Sequence, residues 1–447
     1  LRSPGLDWID TYFSHVKNYI FLRREDKVLI LPPNKVFRLN DTGVRLLSHL
    51  YNGKSVRSFP GIDSKKRIES VNLFFSNLRG LYENKIDDPS EAFAIETVPY
   101  DFQFTQLPVL GEIAVTYRCN NRCRFCYAGC GADTPNNREM NLSEIKNVLK
   151  IFKDEAKIPF FSFTGGEPLL RNDLEKMIRY ASKLKLRTNL VTNGTLAAPA
   201  RARSLYKAGL RTAQVSLEAE KEELHDYLTG ALGAFKQTLS GIYALMQAGI
   251  SVQTNTTITN LNMESAVRLP GFLAGKGVKR FAMNLFIPTE DAGKNSEELF
   301  LSYEKIGEVV EAVGKEARRY GLVFYWYSPT PHCYYNPIAR GRGNKSCAAM
   351  DGLLSVSPAG EVLPCSSYNE PIGNLLKEPF GTIWFSDRAA FFKNKKYAPE
   401  ECGTCDSFTA CQGACPLYWK YAGTSILRNK KRSDSGSYSM PEGRYAG

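Results

Sequence analysis

No stretch of this chain approaches the roughly 18 to 20 unbroken apolar residues that a membrane helix needs. A secretory signal is also missing, because the first thirty residues carry Asp7, Asp10, Arg23, Arg24, Glu25 and Asp26. Both absences point to a cytoplasmic protein. The chain begins with Leu1 rather than Met, which implies a few native residues ahead of it. Cysteine is missing from residues 1–90 and again from Gly131 to His332. The 11 cysteines, an odd number, crowd instead into groups: Cys119, Cys123, Cys126 and Cys130; Cys333, Cys347 and Cys365; Cys402, Cys405, Cys411 and Cys415. A secreted disulfide scaffold would spread them, so close groups of thiols read as metal ligands. Acidic residues are in deficit, 46 against 58 basic ones, for a net charge of +12. That surplus suits an acidic partner: nucleic acid, an acidic peptide or an anionic cofactor. No internal repeat is evident.

What is present argues for several packed domains. At about 150 residues per domain, a chain of 447 suggests three. Tyr19–Leu22, Lys27–Leu31 and Val36–Leu39 read as short strands. Helices follow at Thr42–Gly53 and about Lys66–Ile86, with apolar residues at helical spacing. Residues 1–90 thus read as an α+β module, and 91–110, with Pro99 and Pro108, as a linker. From 111 to 325, six strand candidates alternate with amphipathic helices: Glu112–Thr116, Ile158–Thr164, Arg187–Thr192, Arg211–Leu217, Ile250–Thr257 and Lys279–Leu285. Such alternation is the signature of parallel βαβ units, whose chemistry collects at the C-terminal strand ends. Residues 326–427 are rich in Gly, Pro and Cys, with a hairpin expected around Pro358-Ala359-Gly360. Residues 428–447 read as a basic, mobile tail.

Cys119, Cys123 and Cys126 have the spacing CxxxCxxC. Three thiolates on one tight loop can hold three irons of a [4Fe–4S] cluster and leave the fourth open to a small chelating ligand. Zinc is the alternative, with Cys130 as a fourth ligand. With Phe125 and Tyr127 beside the third cysteine, Gly165-Gly166-Glu167-Pro168 after the next strand and Thr192-Asn193-Gly194 after another, the chain resembles the radical S-adenosylmethionine (SAM) superfamily over about 111–290. The resemblance implies an α/β fold, a partial (β/α)6 TIM-like barrel. It implies that SAM chelates the open iron through its amino and carboxylate groups, and that reductive cleavage yields a 5′-deoxyadenosyl radical. The cofactor-binding residues it implies are Phe125, Tyr127, Gly165, Gly166, Glu167 and Ser216. The glycines would let backbone approach the ligand, and Glu167 would accept from a cationic amino group. Ser216 serves equally as an ordinary strand serine, and Thr192 and Asn193 as turn formers. One departure is Thr229, where related maturases often carry arginine.

Cys347, Gly360 and Cys365, followed by Cys402, Cys405, Cys411 and Cys415, resemble the SPASM extension of peptide-modifying radical enzymes, a C-terminal Cys-rich Fe–S domain. The resemblance implies one or two auxiliary [4Fe–4S] clusters. Cys347, Cys365 and Cys415 would hold the first, and Cys402, Cys405 and Cys411 the second. Zinc ribbons are the alternative for CxxC pairs alone. The family pattern ends on a seventh cysteine that this chain lacks. The second cluster is therefore expected to have an open iron, a non-cysteine ligand such as Asp434 or Tyr438, or fewer irons. Cys333 is expected to complete the first. Cys130 reads first as a structural thiol.

Val36 to Leu47, with Gly53 and Val56, resembles the PqqD-like recognition elements that bind leaders of ribosomal precursor peptides, a winged-helix-like module. An exposed sheet edge makes such binding physically reasonable; a nucleic-acid binder or packing domain is the alternative. These resemblances imply a peptide maturase that forms a thioether or C–C cross-link, with a flavodoxin or ferredoxin as electron donor. The other readings are Ser/Cys oxidation of the sulfatase-maturase type, a non-enzymatic Fe–S electron carrier and a zinc-stapled binding protein. No aromatic-and-basic RNA motif stands out, which argues against a nucleic-acid partner.

Overall fold

A computed structural model describes residues 5–31, 35–83, 105–130, 138–289 and 296–427. The proposed ligands Asp434 and Tyr438, the tail and most of the linker lie outside these residues. Among the described residues, no helix is long and apolar enough to cross a membrane.

The N-terminal module opens with helix α1 (Asp7–Val16). Strands β1 (Phe21–Arg23), β2 (Val28–Leu31) and β3 (Lys35–Arg38) form an antiparallel sheet in that order, with β3 at one edge. Helices α2 (Asp41–Tyr51) and α3 (Lys65–Tyr82) complete the unit. Asn40 caps α2 through its side chain, as its position before Asp41 suggests. Ile9, Phe13, Leu29, Leu31, Leu46, Leu50, Phe75 and Leu78 close a core of their own.

The barrel strands are β4 (Leu110–Ala114), β5 (Phe160–Thr164), β6 (Arg187–Thr192), β7 (Thr212–Ser216), β8 (Ser251–Ile258), β9 (Arg280–Leu285) and β10 (Val323–Trp326). They pair in sequence order, all parallel. Between them run α4 (Leu142–Asp154), α5 (Leu174–Lys183), α6 (Pro199–Ala208), α7 (Glu222–Thr229), α8 (Ala234–Gln247), α9 (Met263–Gly275), α10 (Ser296–Leu299) and α11 (Tyr303–Arg319). The expected mixed α/β fold is present, with six strands close to their anticipated bounds. β10 had gone unrecognised. Its Val-Phe-Tyr-Trp run sits where barrel gives way to the cysteine-rich region.

The C-terminal region continues the same sheet. β11 (Leu353–Val356) lies parallel to β4, and β12 (Glu361–Leu363) and β13 (Gly373–Asn374) add antiparallel strands beyond it. Short helices α12 (Phe380–Trp384), α13 (Asp387–Lys393), α14 (Phe408–Cys411) and α15 (Pro416–Ala422) finish the domain. Alternation on the strands sorts their two faces. Phe161, Phe163, Leu190, Val215, Val252 and Phe281 are buried in the main core. Ser162, Asn189, Gln214, Ser216, Gln253, Asn255 and Asn284 occupy the other face and remain half-buried. The barrel interior is therefore polar.

Arg23 ties the N-terminal module to the segment that leads into β4, beside an apolar contact of Phe21, Val28 and Ile30 with Val109 and Phe160. Arg23 is buried and grips Asp26 with two bonds of 2.8 and 2.7 Å. It also donates to the carbonyls of Pro108 (2.6 Å) and Leu107 (3.0 Å). Arg23→Ala leaves a buried carboxylate and two carbonyls without partners, an expected cost of about 3 to 5 kcal/mol. Urea unfolding should show this loss, and a double Arg23→Met/Asp26→Leu variant should recover most of it.

Candidate metal centre and active site

The loop carrying Cys119, Cys123 and Cys126 leaves the C-terminal end of β4 and is held from three sides. From the exit of β5, Gly166 N–H donates to Thr116 O (2.7 Å) and Glu167 N–H to Arg118 O (2.9 Å). From the end of α7, the carbonyls of Thr229 and Leu228 accept from Arg122 and Arg124 N–H, both at 2.9 Å. From the exit of β6, Asn193 Nδ2 donates to Asn120 Oδ1 (3.0 Å). A Cβ on Gly165 would overlap Thr116 O, and one on Gly166 would overlap Arg118 O. The glycines were expected to admit a ligand. In the structure the close approach they permit is to the cysteine loop itself.

The sulfurs have donors aimed at them. Asn121 N–H points at Cys119 Sγ (3.4 Å) and Cys130 N–H at Cys126 Sγ (3.3 Å). Burial pushes the Cys119 thiol up to about 11, with the Glu167 and Cys126 charges adding to it. Burial pushes Cys123 well up too, followed by Cys126, Glu218 and Cys119. Thiols so disposed ionise only when a cation offsets their crowding. A four-iron cluster gives each thiolate its own iron, and three cysteines on one loop, with backbone N–H groups aimed at Cys119 and Cys126, supply the donors it needs. Cys130 is buried beside Cys126.

Glu167 is fully buried. Its Oε1 accepts from Leu169 N–H (2.9 Å) and Thr192 Oγ1 (2.7 Å), and its Oε2 from Asn193 N–H (2.8 Å). Thr192 and Asn193 thus do more than make a turn: they tie the exit of β6 to the carboxylate. Burial raises the Glu167 carboxyl to about 7 against these bonds. As a carboxylate oxygen, Oε2 has the capacity to accept a second hydrogen bond. Thr229 is buried and its hydroxyl donates back to His225 O (2.8 Å), so it replaces no arginine contact. Ser216 lies half-buried on the polar inner face, level with Asn255. Phe125 packs with Leu228, Phe286 and Leu299.

The remaining cysteines form two groups. Cys365 is raised by burial first, then by Cys347 and Cys415, and Cys415 by burial and Cys347. Cys347 is buried, and Cys365 and Cys415 are half-buried. Lys395, itself buried, holds its loop by donating to Cys347 O (3.0 Å) and Asp351 Oδ2 (2.8 Å). Cys402 is pushed up to about 12 by burial, then by Cys411, Cys333 and Cys405. Cys411 Sγ accepts His332 N–H (3.4 Å). Left-handed backbone at Gln412, Gly413 and Ala414 turns further N–H groups toward that sulfur. Cys333 is exposed, and it follows directly on His332, whose N–H meets Cys411 Sγ.

Comparison with known proteins places this geometry. The sequence profile described as Radical SAM superfamily matches residues 113–270, and that described as SPASM, an iron-sulfur cluster-binding domain, matches 347–406. The protein is a radical SAM enzyme. Its cofactors are SAM and [4Fe–4S] clusters. An AdoMet-dependent heme synthase of Oleidesulfovibrio alaskensis is 29% identical to the enzyme over 67% of this chain and 80% of its own. A PqqA peptide cyclase of Granulibacter bethesdensis is 27% identical over 69% of this chain and 82% of its own. Among solved structures, Streptococcus suis SuiB bound to precursor peptide SuiA matches at a TM-score of 0.63 and 16% identity, over 90% of this chain and 95% of that one.

Two features of the enzyme's site escaped sequence reasoning, and a third was legible only as separate residues, Glu218 and His225, plausible acid–base groups that more often serve structure. The first is the polar lining of the barrel, whose alternation was legible but unread. The second is Glu112 on β4, a carboxylate raised by burial that accepts Ser366 N–H (3.1 Å) near the trio of Cys347, Cys365 and Cys415. The third is the buried pair behind the cysteine loop: Glu218 N–H donates to His225 Nδ1 (3.1 Å), and Glu218 Oε2 accepts Thr257 N–H (2.8 Å). Burial raises Glu218 to about 8 and lowers His225 to about 4. A histidine held neutral in the fold but protonated in the unfolded chain makes the unfolded state the one that gains protons. Its contribution is whole above about pH 6.5 and is lost as pH falls. Between about pH 7.5 and 5.5 the enzyme should lose about 1 kcal/mol relative to His225→Asn. Urea midpoints at the two pH values test this.

Proposed function

We propose that the enzyme binds a ribosomal precursor peptide through residues 1–90 and oxidatively modifies a core residue, forming a thioether or C–C cross-link. Cys119, Cys123 and Cys126 hold the cluster that binds SAM; the other cysteine groups hold auxiliary clusters. When bound, these groups supply an electron to cleave the sulfonium, a 5′-deoxyadenosyl radical that takes a hydrogen atom, and a sink for the electron the product must lose. The chain's own residues do the rest. Oε2 of Glu167 orients the SAM amino group, and Ser216 contacts its carboxylate or ribose. Backbone around Phe125 and Tyr127 meets the adenine. The polar inner face, from Ser162 to Asn284, positions peptide backbone and excludes bulk water. A flavodoxin or ferredoxin delivers the electron.

The observation that carries this reading is the N-terminal module: a three-stranded sheet with β3 as its edge, tied by Arg23 to the segment that leads into β4. An edge strand offers unpaired backbone groups to an extended peptide. The peptide cyclase relatives and the peptide-bound SuiB fold lend support. A second reading rests on the relatives named heme synthase, at 28–29% identity: an iron tetrapyrrole in the barrel. One anaerobic assay separates the two. The enzyme, dithionite and SAM are mixed with the small peptide encoded beside its gene, or with iron coproporphyrin III. The peptide should lose two hydrogens, and removal of its leader should stop the reaction. Turnover of the porphyrin with an unchanged peptide would decide for the second reading.

A further inference from the structure

We propose that Cys333 is the fourth thiolate of the second auxiliary cluster, in the place of the seventh cysteine that the SPASM pattern expects after Cys415. The proposal rests on the reading that Cys402, Cys405 and Cys411 hold such a cluster. Its geometric basis is the turn at 331–335. Tyr334 and Tyr335 N–H both donate to Pro331 O, at 2.9 and 3.0 Å. Tyr334 OH donates to Ile426 O (2.7 Å) and Tyr335 OH to Glu311 Oε1 (2.7 Å), while Arg342 Nε donates to the Tyr335 oxygen (2.8 Å). Anchored on both tyrosines, the turn directs His332 N–H onto Cys411 Sγ (3.4 Å), and Cys333 is the next residue along the chain.

The allotment accounts for every cysteine in the chain. Cys119, Cys123 and Cys126 share the barrel loop, with Cys130 behind Cys126. The proposal puts Cys333, Cys402, Cys405 and Cys411 in a four-thiol set and leaves Cys347, Cys365 and Cys415 as a three-thiol set. The missing seventh cysteine left the second cluster with an open iron, a non-cysteine ligand or fewer irons. In this allotment those alternatives pass to the trio Cys347, Cys365 and Cys415. The four-thiol set includes both exposed cysteines of the chain, Cys333 and Cys405, so it is the one nearer solvent.

Thiol footprinting of the reconstituted, full-length wild-type enzyme tests the proposal without relying on turnover. Iodoacetamide is applied under argon while a chelator and ferricyanide strip iron in stages, and labelled peptides are counted by mass spectrometry. Cys333 should be protected at the start and become reactive in step with Cys402, Cys405 and Cys411. Labelling of Cys333 in the fully loaded enzyme, or its release in step with Cys347 and Cys365, would overturn the proposal. Absence of any auxiliary iron in the parent protein would overturn the underlying reading as well, and the iron count shows which has failed. A Cys333→Ser variant adds a second measurement. It should convert one auxiliary cluster to a three-iron form with its own electron paramagnetic resonance signal. Iron content and spectrum identical to wild type would contradict the assignment.

Discussion

Cys123→Ala is expected to abolish formation of 5′-deoxyadenosine from SAM. Cys123 sits midway in a loop whose backbone is fixed at Arg122 and Arg124 by the end of α7, so no neighbouring thiol can swing into its place. Cys130 is tied to Cys126 rather than to Cys123. Losing one of three ligands should leave the auxiliary iron in place and remove that of the barrel loop, about a third of the total if three [4Fe–4S] clusters are bound. Iron analysis and chromatography of the anaerobic reaction check both halves. Cys123→Ala with full iron and undiminished cleavage would place the radical chemistry elsewhere.

Glu167→Ala is expected to lower both stability and SAM binding. Removal of the carboxylate strands three buried donors: Leu169 N–H, Asn193 N–H and the Thr192 hydroxyl. Each orphaned group costs about 1 to 3 kcal/mol, so the fold should lose several kcal/mol. Glu167→Gln separates the roles. Its carbonyl oxygen can still serve Leu169 and Thr192, and the neutral amide suits a site where burial already raises the acid to about 7. Most of the stability should return. The remaining bond to a cationic amino group would be lost, and a charge-assisted hydrogen bond is worth about 1.5 to 3 kcal/mol, so SAM affinity should stay down about ten-fold or more. Equilibrium unfolding and SAM titration measure the two effects separately. Full SAM affinity in Glu167→Gln would make Glu167 a brace alone.

The sequence was most informative where the chemistry is local. CxxxCxxC lies on one loop, and its meaning survives without knowledge of what packs around it. The barrel strands were legible because each alternates with an amphipathic helix. Helix α1 was missed although Ile9, Phe13 and Val16 recur at helical spacing, a signal set aside beside the charged residues near it. What holds the cysteine loop was not legible. Gly166 N–H serves the carbonyl of Thr116, and Glu167 finds side-chain and backbone donors a whole βα unit later, at Thr192 and Asn193. The parallel pairing of β11 with β4 joins opposite ends of the folded region and has no local signature. The turn that brings His332 N–H onto Cys411 Sγ has no local signature either. Glu112 illustrates the converse case: a carboxylate in an otherwise apolar strand was visible in the sequence, but only the register places it level with Ser162 and close to Ser366.

The account depends on one iron of the barrel-loop cluster being free to take SAM. Mössbauer spectroscopy of the iron-57-loaded, anaerobic enzyme, recorded before and after addition of SAM, addresses that point most directly. A single iron site of that cluster should change its environment while its three thiolate-bound neighbours keep theirs. If no iron responds to saturating SAM, the corner is already occupied by a protein group, and the assignment of Cys119, Cys123 and Cys126 to a SAM-binding cluster is wrong.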